Sequence, residues 1–244
     1  MSVLFVSDVH LSALRPERTD AFLAFLQGPC RQASRLVLLG DVFDEWLGDD
    51  DRRPPHEQVV EALAALTRHG VRVDFCWGNH DFLVGERFHD RSGCHPLTDP
   101  SVIPVHGTPV AVLHGDTLCT RDEDYQRWRA TFTDPAMQQQ FLALPFQQRV
   151  QRAAALRHGS MQATRLKPQD IMDVTPEAVL ETLERLGVRH MVHGHTHRPG
   201  MHPLQLPGGP GQRIVLGDWY ATEQLLHWDT GGPTLGTVAE LFPD

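Results

Sequence analysis

One local pattern recurs five times along this chain: a short apolar run followed almost at once by a polar cluster rich in Asp and His. Val3-Leu4-Phe5-Val6 leads to Asp8-Val9-His10, and Leu36-Val37-Leu38-Leu39 to Gly40-Asp41-Val42-Phe43-Asp44. The run 71–77 leads to Gly78-Asn79-His80-Asp81, Val110-Ala111-Val112-Leu113 to His114-Gly115-Asp116, and Met191-Val192 to His193-Gly194-His195-Thr196-His197. Short continuous apolar runs suit strands buried on both faces. Each cluster therefore falls at a strand's carboxyl end. In open α/β sheets that edge binds ligands, because the loops leaving it converge on one crevice.

The residue types narrow the ligand to metal. Asp8, His10, Asp41, Asn79, His114, His195 and His197 offer carboxylate and amide oxygen and imidazole nitrogen but no thiolate, a set suited to octahedral Mn²⁺ or Fe²⁺ and workable for Zn²⁺. Seven ligands are too many for one ion. Two ions held roughly 3.5–4 Å apart need a shared ligand, which a carboxylate can supply, and would activate water at about pH 7 while clamping phosphoryl oxygens. Asp41 is the expected bridge, and no protein nucleophile is required. Asp44, Asp81 and Asp116 lie two or three positions past a ligand, where a carboxylate can accept an imidazole N–H or order a turn. Any one cluster is weak: Asp8-Val9-His10 alone reads equally as a strand end, and 193–197 as a polar turn in a chain with 15 His. The joint occurrence carries the reading.

Charge is unevenly spread. The net charge of −9 argues against nucleic acid as a partner. Yet Arg127, Arg129, Arg149, Arg152, Arg157, Arg165 and Lys167 stand against one acid, Asp134, in 127–167. Trp128, Phe132, Met137, Phe141, Leu142, Leu144, Phe146, Val150 and Leu156 recur there at largely helical spacings, with breaks at Pro135 and Pro145. The segment reads as two or three amphipathic helices, a cap over 122–170. It could be an ordinary helical layer with its arginines in water. A basic, apolar cap would also suit an anionic acylated substrate and an anionic membrane surface.

With 244 residues, 41% of them apolar, the chain can form one domain, 1–244, with a substantial core. Cys30, Cys76, Cys94 and Cys119 are widely spaced and read as reduced thiols. The amino terminus enters a strand at once, and no apolar stretch approaches the roughly 18 residues of a span. A cytoplasmic protein is expected, with any membrane contact peripheral.

The five clusters resemble those of the calcineurin-like metallophosphoesterase superfamily. Asp41 to Asp50, His114 to Thr120, Ile171-Met172-Asp173-Val174, His193 to Pro199 and Val215 to Tyr220 are similar to its lipid A pathway branch, the UDP-2,3-diacylglucosamine pyrophosphatases, over nearly the whole chain. That resemblance implies an α/β fold of two facing mixed sheets flanked by helices, with the inserted helical cap. It implies Mn²⁺-dependent hydrolysis of a glycolipid nucleotide to UMP and 2,3-diacylglucosamine 1-phosphate, by a monomer at the cytoplasmic face of the inner membrane. Carried over singly, Asn79, His80, Asp122, Arg157, Ser160, Thr164, Lys167 and His195 match substrate-contacting positions. Trp46, Phe82, Trp128, Phe132, Phe141, Leu142 and Phe146 are the expected acyl-chain lining. Two positions depart from the branch: His80 stands where it has Arg, and Thr164 where it has Asn. The broader superfamily has His at position 80, where it stabilises the transition state or protonates a leaving group, a role open to a group with pKa near 6.5. Asp122 reads equally as a helix N-cap.

Elsewhere, 21–26, 57–66 and 176–186 have helical character, the last opened by Thr175 and Pro176 and closed by Gly187. The stretch 206–211 reads as a turn or loop between late strands and Asp49-Asp50-Asp51 as a solvated loop. Two other functions share the metal motifs: hydrolysis of soluble nucleotide pyrophosphates or phosphodiesters, without an apolar basic cap, and a non-catalytic scaffold, expected to have lost ligands.

Overall fold

Alternation along the strands divides the core into layers. A computed structural model describes residues 2–166, 171–220 and 222–243, apart from the side chains of 158–166. In β1 (Val3–Val6) and β2 (Arg35–Leu39), Val3, Phe5, Val37 and Leu39 face one way. Leu4, Val6, Leu36 and Leu38 face the other, against Phe22, Phe25 and Leu26 of α1 (Pro16–Gln27) and Val59, Val60 and Leu63 of α2 (His56–Arg68). The first group meets a second sheet, through Val110, Val112, Val192 and Ile214. Both faces are covered, which is why the runs are continuously apolar. Each fully buried Phe or Leu is worth about 1.5–3 kcal/mol of transfer free energy.

The first sheet has the order β11-β10-β1-β2-β3-β4, with β3 (Arg72–Cys76), β4 (His95–Pro96), β10 (Gln224–Asp229) and β11 (Gly232–Thr237). α3 (Glu86–Ser92) joins β3 to β4. The second sheet has the order β5-β6-β7-β9-β8: β5 (Ser101–Val105), β6 (Thr108–Leu113), β7 (His190–His193), β8 (Gly200–Leu206) and β9 (Gly209–Val215). β1, β2 and β3 are parallel, as are β6, β7 and β9. All five polar clusters thus emerge at strand carboxyl ends.

Between β6 and β7 the chain forms α4 (Glu123–Phe132), α5 (Pro135–Leu142), α6 (Phe146–Leu166) and α7 (Pro176–Leu186). α7 packs Val179 and Leu183 on Ala111 and Met191, and Gly187 closes it in the left-handed conformation. A short α8 (Val238–Leu241) ends the fold.

Two stretches read as turn or loop are more ordered than their composition suggests. Residues 206–211 are mostly strand: Leu206 pairs with Gly209 across a two-residue turn, and Gln205 with Pro210. Pro210 is tolerated because β9 pairs with β7 only from Gln212 onward, so no strand there requires its N–H. Asp49-Asp50-Asp51 is a loop, but only Asp50 is exposed. Asp49 accepts from Trp46 Nε1 and from the N–H groups of Gly85 and Phe88, Asp50 pairs with Arg149, and buried Asp51 with Arg53.

Candidate metal centre

The loops after β1 and β2 are zipped together, Asp8 N–H donating to Gly40 O, His10 N–H to Asp41 O and Leu11 N–H to Val42 O. Asp81 ties in the loop after β3, its carboxylate accepting from the N–H groups of Gly78 (2.7 Å), Val42 (2.8 Å), Asp41 (3.2 Å) and Phe43 (3.4 Å). Close approach demands glycine at two points. A Cβ on Gly78 would stand 2.2 Å from Asp41 Oδ1, and one on Gly194 2.2 Å from Asp8 Oδ2. Asp8, His10, Asp41, His195 and His197 all take positive φ, between 51° and 67°. Such backbone costs roughly 1–3 kcal/mol per residue and gathers at functional sites.

All seven expected ligands converge. Asp8 Oδ2 is held by Ser7 Oγ (2.6 Å) and His195 N–H (2.9 Å), leaving Oδ1 near His197 Nε2 (3.2 Å) and His10 Nε2 (3.9 Å). Asp41 Oδ1 accepts His80 N–H at 2.8 Å, while Oδ2 lies 3.8 Å from His10 Nε2 and 3.6 Å from His114 Nε2. Asp8 and Asp41 each belong to two of the groups able to hold a cation: Asp8–His10–His197, His10–Asp41–His80 and Asp8–Asp41–His114. His114 Nδ1 donates to Leu39 O (2.9 Å), and Nε2 faces Asn79 Oδ1 (3.0 Å) and His195 Nδ1 (3.2 Å).

A cation fits this donor set. Lone-pair atoms crowd one another, with His10 Nε2 of a buried ring 3.4 Å from Nε2 of the partly exposed His197. Burial lowers His10 and His195 to about 4. Burial opposes a charge on His114 as well, but Asp41, Asp8 and Asp116 outweigh it and raise its pKa to about 10. The negative potential is strong enough to draw in a proton where a metal would sit. The donors are those of a divalent metal site.

The carboxylates beyond the ligands divide their work. Asp81 orders the turns, as expected. Asp116 does not serve an imidazole: its Oδ2 accepts Tyr125 Oη (2.6 Å) and Arg129 Nε (2.5 Å), holding α4 to the loop after β6. Asp44 Oδ1 lies 3.8 Å from His10 Nδ1, and Oδ2 accepts Arg157 Nη1 at 3.0 Å. His80 donates from Nδ1 to Asp44 O (2.8 Å), lies edge-on to His10 and points Nε2 toward Asp41 Oδ2 at 4.0 Å. Asp218 lies outside the five polar clusters, yet its Oδ2 meets His197 Nδ1 at 3.1 Å. Its signal is legible: Val215-Leu216 before Gly217-Asp218 repeats the apolar-run-then-carboxylate pattern.

An apolar cleft of about 1210 Å³ opens beside Asn79 and His80. Trp46, Leu47, Phe82, Leu83, Trp128, Phe132, Met137, Phe141 and Leu156 line it, with Asp44, Glu45, Asp122, Tyr125, Arg152 and Arg157 among its polar residues. No residue of α4 or α5 is buried, because their apolar sides face this cleft and not the core. Two lining assignments are corrected. Leu142 is 39% exposed and turns toward Gly48, and the Phe146 ring lies under the guanidinium groups of Arg53 and Arg149. Asp122 N-caps α4 by accepting Tyr125 N–H (3.1 Å) and also faces the cleft. The cap arginines are largely committed: Arg129 to Asp116, buried Arg149 to Asp50 and Leu47 O, Arg157 to Asp44 and Glu45, Arg127 to Glu123 and Asp124. The Ser160 and Thr164 side chains and Lys167 lie outside the described residues.

Residues 1–199 match the model of the calcineurin-like phosphoesterase family. The chain is 46% identical to a UDP-2,3-diacylglucosamine hydrolase of Pseudomonas aeruginosa, over 95% of this chain and 97% of that protein. It is 46% identical to proteins of the same description from Stenotrophomonas maltophilia, with 98% and 99% covered, and Klebsiella pneumoniae, with 91% and 92% covered.

Proposed function

The chain belongs to the calcineurin-like phosphoesterase family, and from that premise we propose that it is a UDP-2,3-diacylglucosamine hydrolase of lipid A biosynthesis. It cleaves the pyrophosphate bond to give UMP and 2,3-diacylglucosamine 1-phosphate. The observation that carries the substrate is the apolar cleft beside the ligand cluster, which offers acyl chains a place next to the diphosphate. The ions are two Mn²⁺, in keeping with the oxygen and nitrogen donors. When bound, they supply an activated water and Lewis-acid stabilisation of the phosphoryl oxygens.

The chain's own residues do the rest. Asp8 and Asp41 hold the two halves of the cluster together, Asp8 with Oδ2 anchored by Ser7 and His195, Asp41 with Oδ1 anchored by His80 N–H. His80 keeps Nε2 free at the cleft edge, where it donates a hydrogen bond or proton to the reacting phosphate or its leaving oxygen. Asn79, Asp122, Arg157, Ser160, Thr164, Lys167 and His195 contact the sugar–diphosphate portion, while Trp46, Phe82, Trp128, Phe132 and Phe141 line the acyl site. One chain contains every ligand and the whole cap, so a monomer suffices. Exposed Met137, Leu142 and Leu156 on the cap support peripheral contact with an anionic membrane surface. Among the described residues no helix is long and apolar enough to cross a membrane.

The test compares kcat/KM for UDP-2,3-diacylglucosamine, its deacylated analogue and diadenosine tetraphosphate with Mn²⁺. The acylated lipid should be preferred, and Phe132→Ala should reduce that preference by about 1.5–3 kcal/mol without slowing the soluble substrates. Comparable values for acylated and deacylated substrates, unmoved by Phe132→Ala, would remove the lipid assignment.

A further inference from the structure

The chain has only two tyrosines, and their rings contact different members of the ligand cluster. Tyr125, on the cap, lies 5.8 Å from His195 and lines the cleft. Tyr220 lies 5.4 Å from His10 and 5.7 Å from His197, is absent from the cleft lining, and is 47% exposed.

The turn that presents Tyr220 is firmly built. Asp218 holds His197 with one carboxylate oxygen and accepts Tyr220 N–H (2.9 Å) with the other. Trp219 is buried against Phe22 and Phe25, with Nε1 donating to Gln224 O and its backbone N–H to Asp8 O. The Arg18 guanidinium carbon sits 4.2 Å from the Tyr220 ring centroid, and the group donates to Val9 O and His10 O from a position only 6% exposed. A ring fixed this well beside two ligands, yet left nearly half in solvent, has more contact surface than its packing uses.

We propose that Tyr220 is the contact for the nucleoside half of the substrate, the pyrimidine base resting against its ring. The inference rests on the substrate reading above. If the acylated sugar fills the cleft beside Asn79 and His80, a diphosphate lying over the cluster sends its other end toward His10 and His197, where Tyr220 stands. A fixed aromatic ring suits a nucleobase, since every base has a π-face to set against it.

The experiment uses the full-length Mn²⁺-loaded protein and titrates UMP, ribose 5-phosphate, inorganic phosphate and 2,3-diacylglucosamine 1-phosphate calorimetrically. Wild type should bind UMP about tenfold tighter than ribose 5-phosphate, and Tyr220→Leu should erase that difference, within the range of base–aromatic stacking. Tyr220→Phe, which keeps the ring, should retain it. Affinities for inorganic phosphate and the lipid phosphate, and the metal content, should be unchanged in both variants. UMP affinity unaltered in Tyr220→Leu overturns the inference, as does an equal loss for UMP and inorganic phosphate, which locates the effect at the metals. A Tyr220→Phe variant as weak as Tyr220→Leu overturns the ring contact. Failure of the substrate reading is separately visible: the wild-type protein would not turn over UDP-2,3-diacylglucosamine.

Discussion

His80 is tied at Nδ1 to the Asp44 carbonyl, so its chemistry must come from Nε2. His80→Ala should lower kcat roughly 10²–10⁴-fold with bound metal unchanged, the range for loss of a general acid. His80→Arg should retain far more activity on the UDP-lipid. Near-wild-type kcat for the alanine variant would deny His80 any part in the reaction. Asp218 acts one step further out, orienting His197. Its replacement by Ala should weaken metal binding about 10- to 100-fold. Rates measured at saturating Mn²⁺ should largely recover, and metal titrations identical to wild type would show that His197 needs no such support.

At the scale of elements, the segment after β2 shows how acids read as loop chemistry become structural. Asp51 is buried between Arg53, His56 and the Gly48 turn, and although burial opposes its charge, its hydrogen bonds to Arg53 and the nearby His56 ring hold its pKa well below the ordinary 3.8. A carboxyl with a depressed folded-state pKa contributes stability that is present above the unfolded value and lost as pH falls through the folded one. The unfolding free energy of Asp51→Asn should therefore fall short of wild type by about 1–3 kcal/mol at neutral pH. The deficit should stay constant down to about pH 5 and shrink below about pH 4. A deficit that persists unchanged at acid pH would assign the effect to packing instead of charge. The hairpin of β8 and β9 teaches a similar lesson. Two prolines and three glycines in 206–211 suggest a loop, yet a two-residue turn and an unpaired flank accommodate them within strands.

Across the whole molecule, α4 to α6 are tied to the strands and loops that carry the Asp and His cluster by ion pairs, Arg129 with Asp116, Arg149 with Asp50, Arg157 with Asp44 and Glu45, and by apolar contacts of Trp128 and Phe141. Those strands and loops gather Asp8, His10, Asp41 and His114 out of solvent, an arrangement that favours the folded state most when cations fill it. Mn²⁺ added to chelator-treated protein should raise Tm in a concentration-dependent way, equivalent to about 2.7 kcal/mol at a hundred times Kd. A scan indifferent to Mn²⁺ would mean that the site binds no metal in the native state.

The convergence of the seven proposed ligands is legible in the amino-acid order because each stands directly behind a strand whose apolar run is a local signal, and parallel strands bring their carboxyl ends to one edge. Asp81 was legible for the same reason. The helices α4 to α6 are readable from helical spacing and proline breaks, but not their facing. Leu142 and Phe146 share the spacing of Phe132 and Phe141, yet only the latter pair lines the cleft. Asp116 sits where a carboxylate can accept an imidazole N–H or order a turn, and it anchors Arg129 and Tyr125. Local periodicity can mark a helix as amphipathic, but which surface its apolar side meets, and which acid each arginine reaches, is set only when separate elements dock.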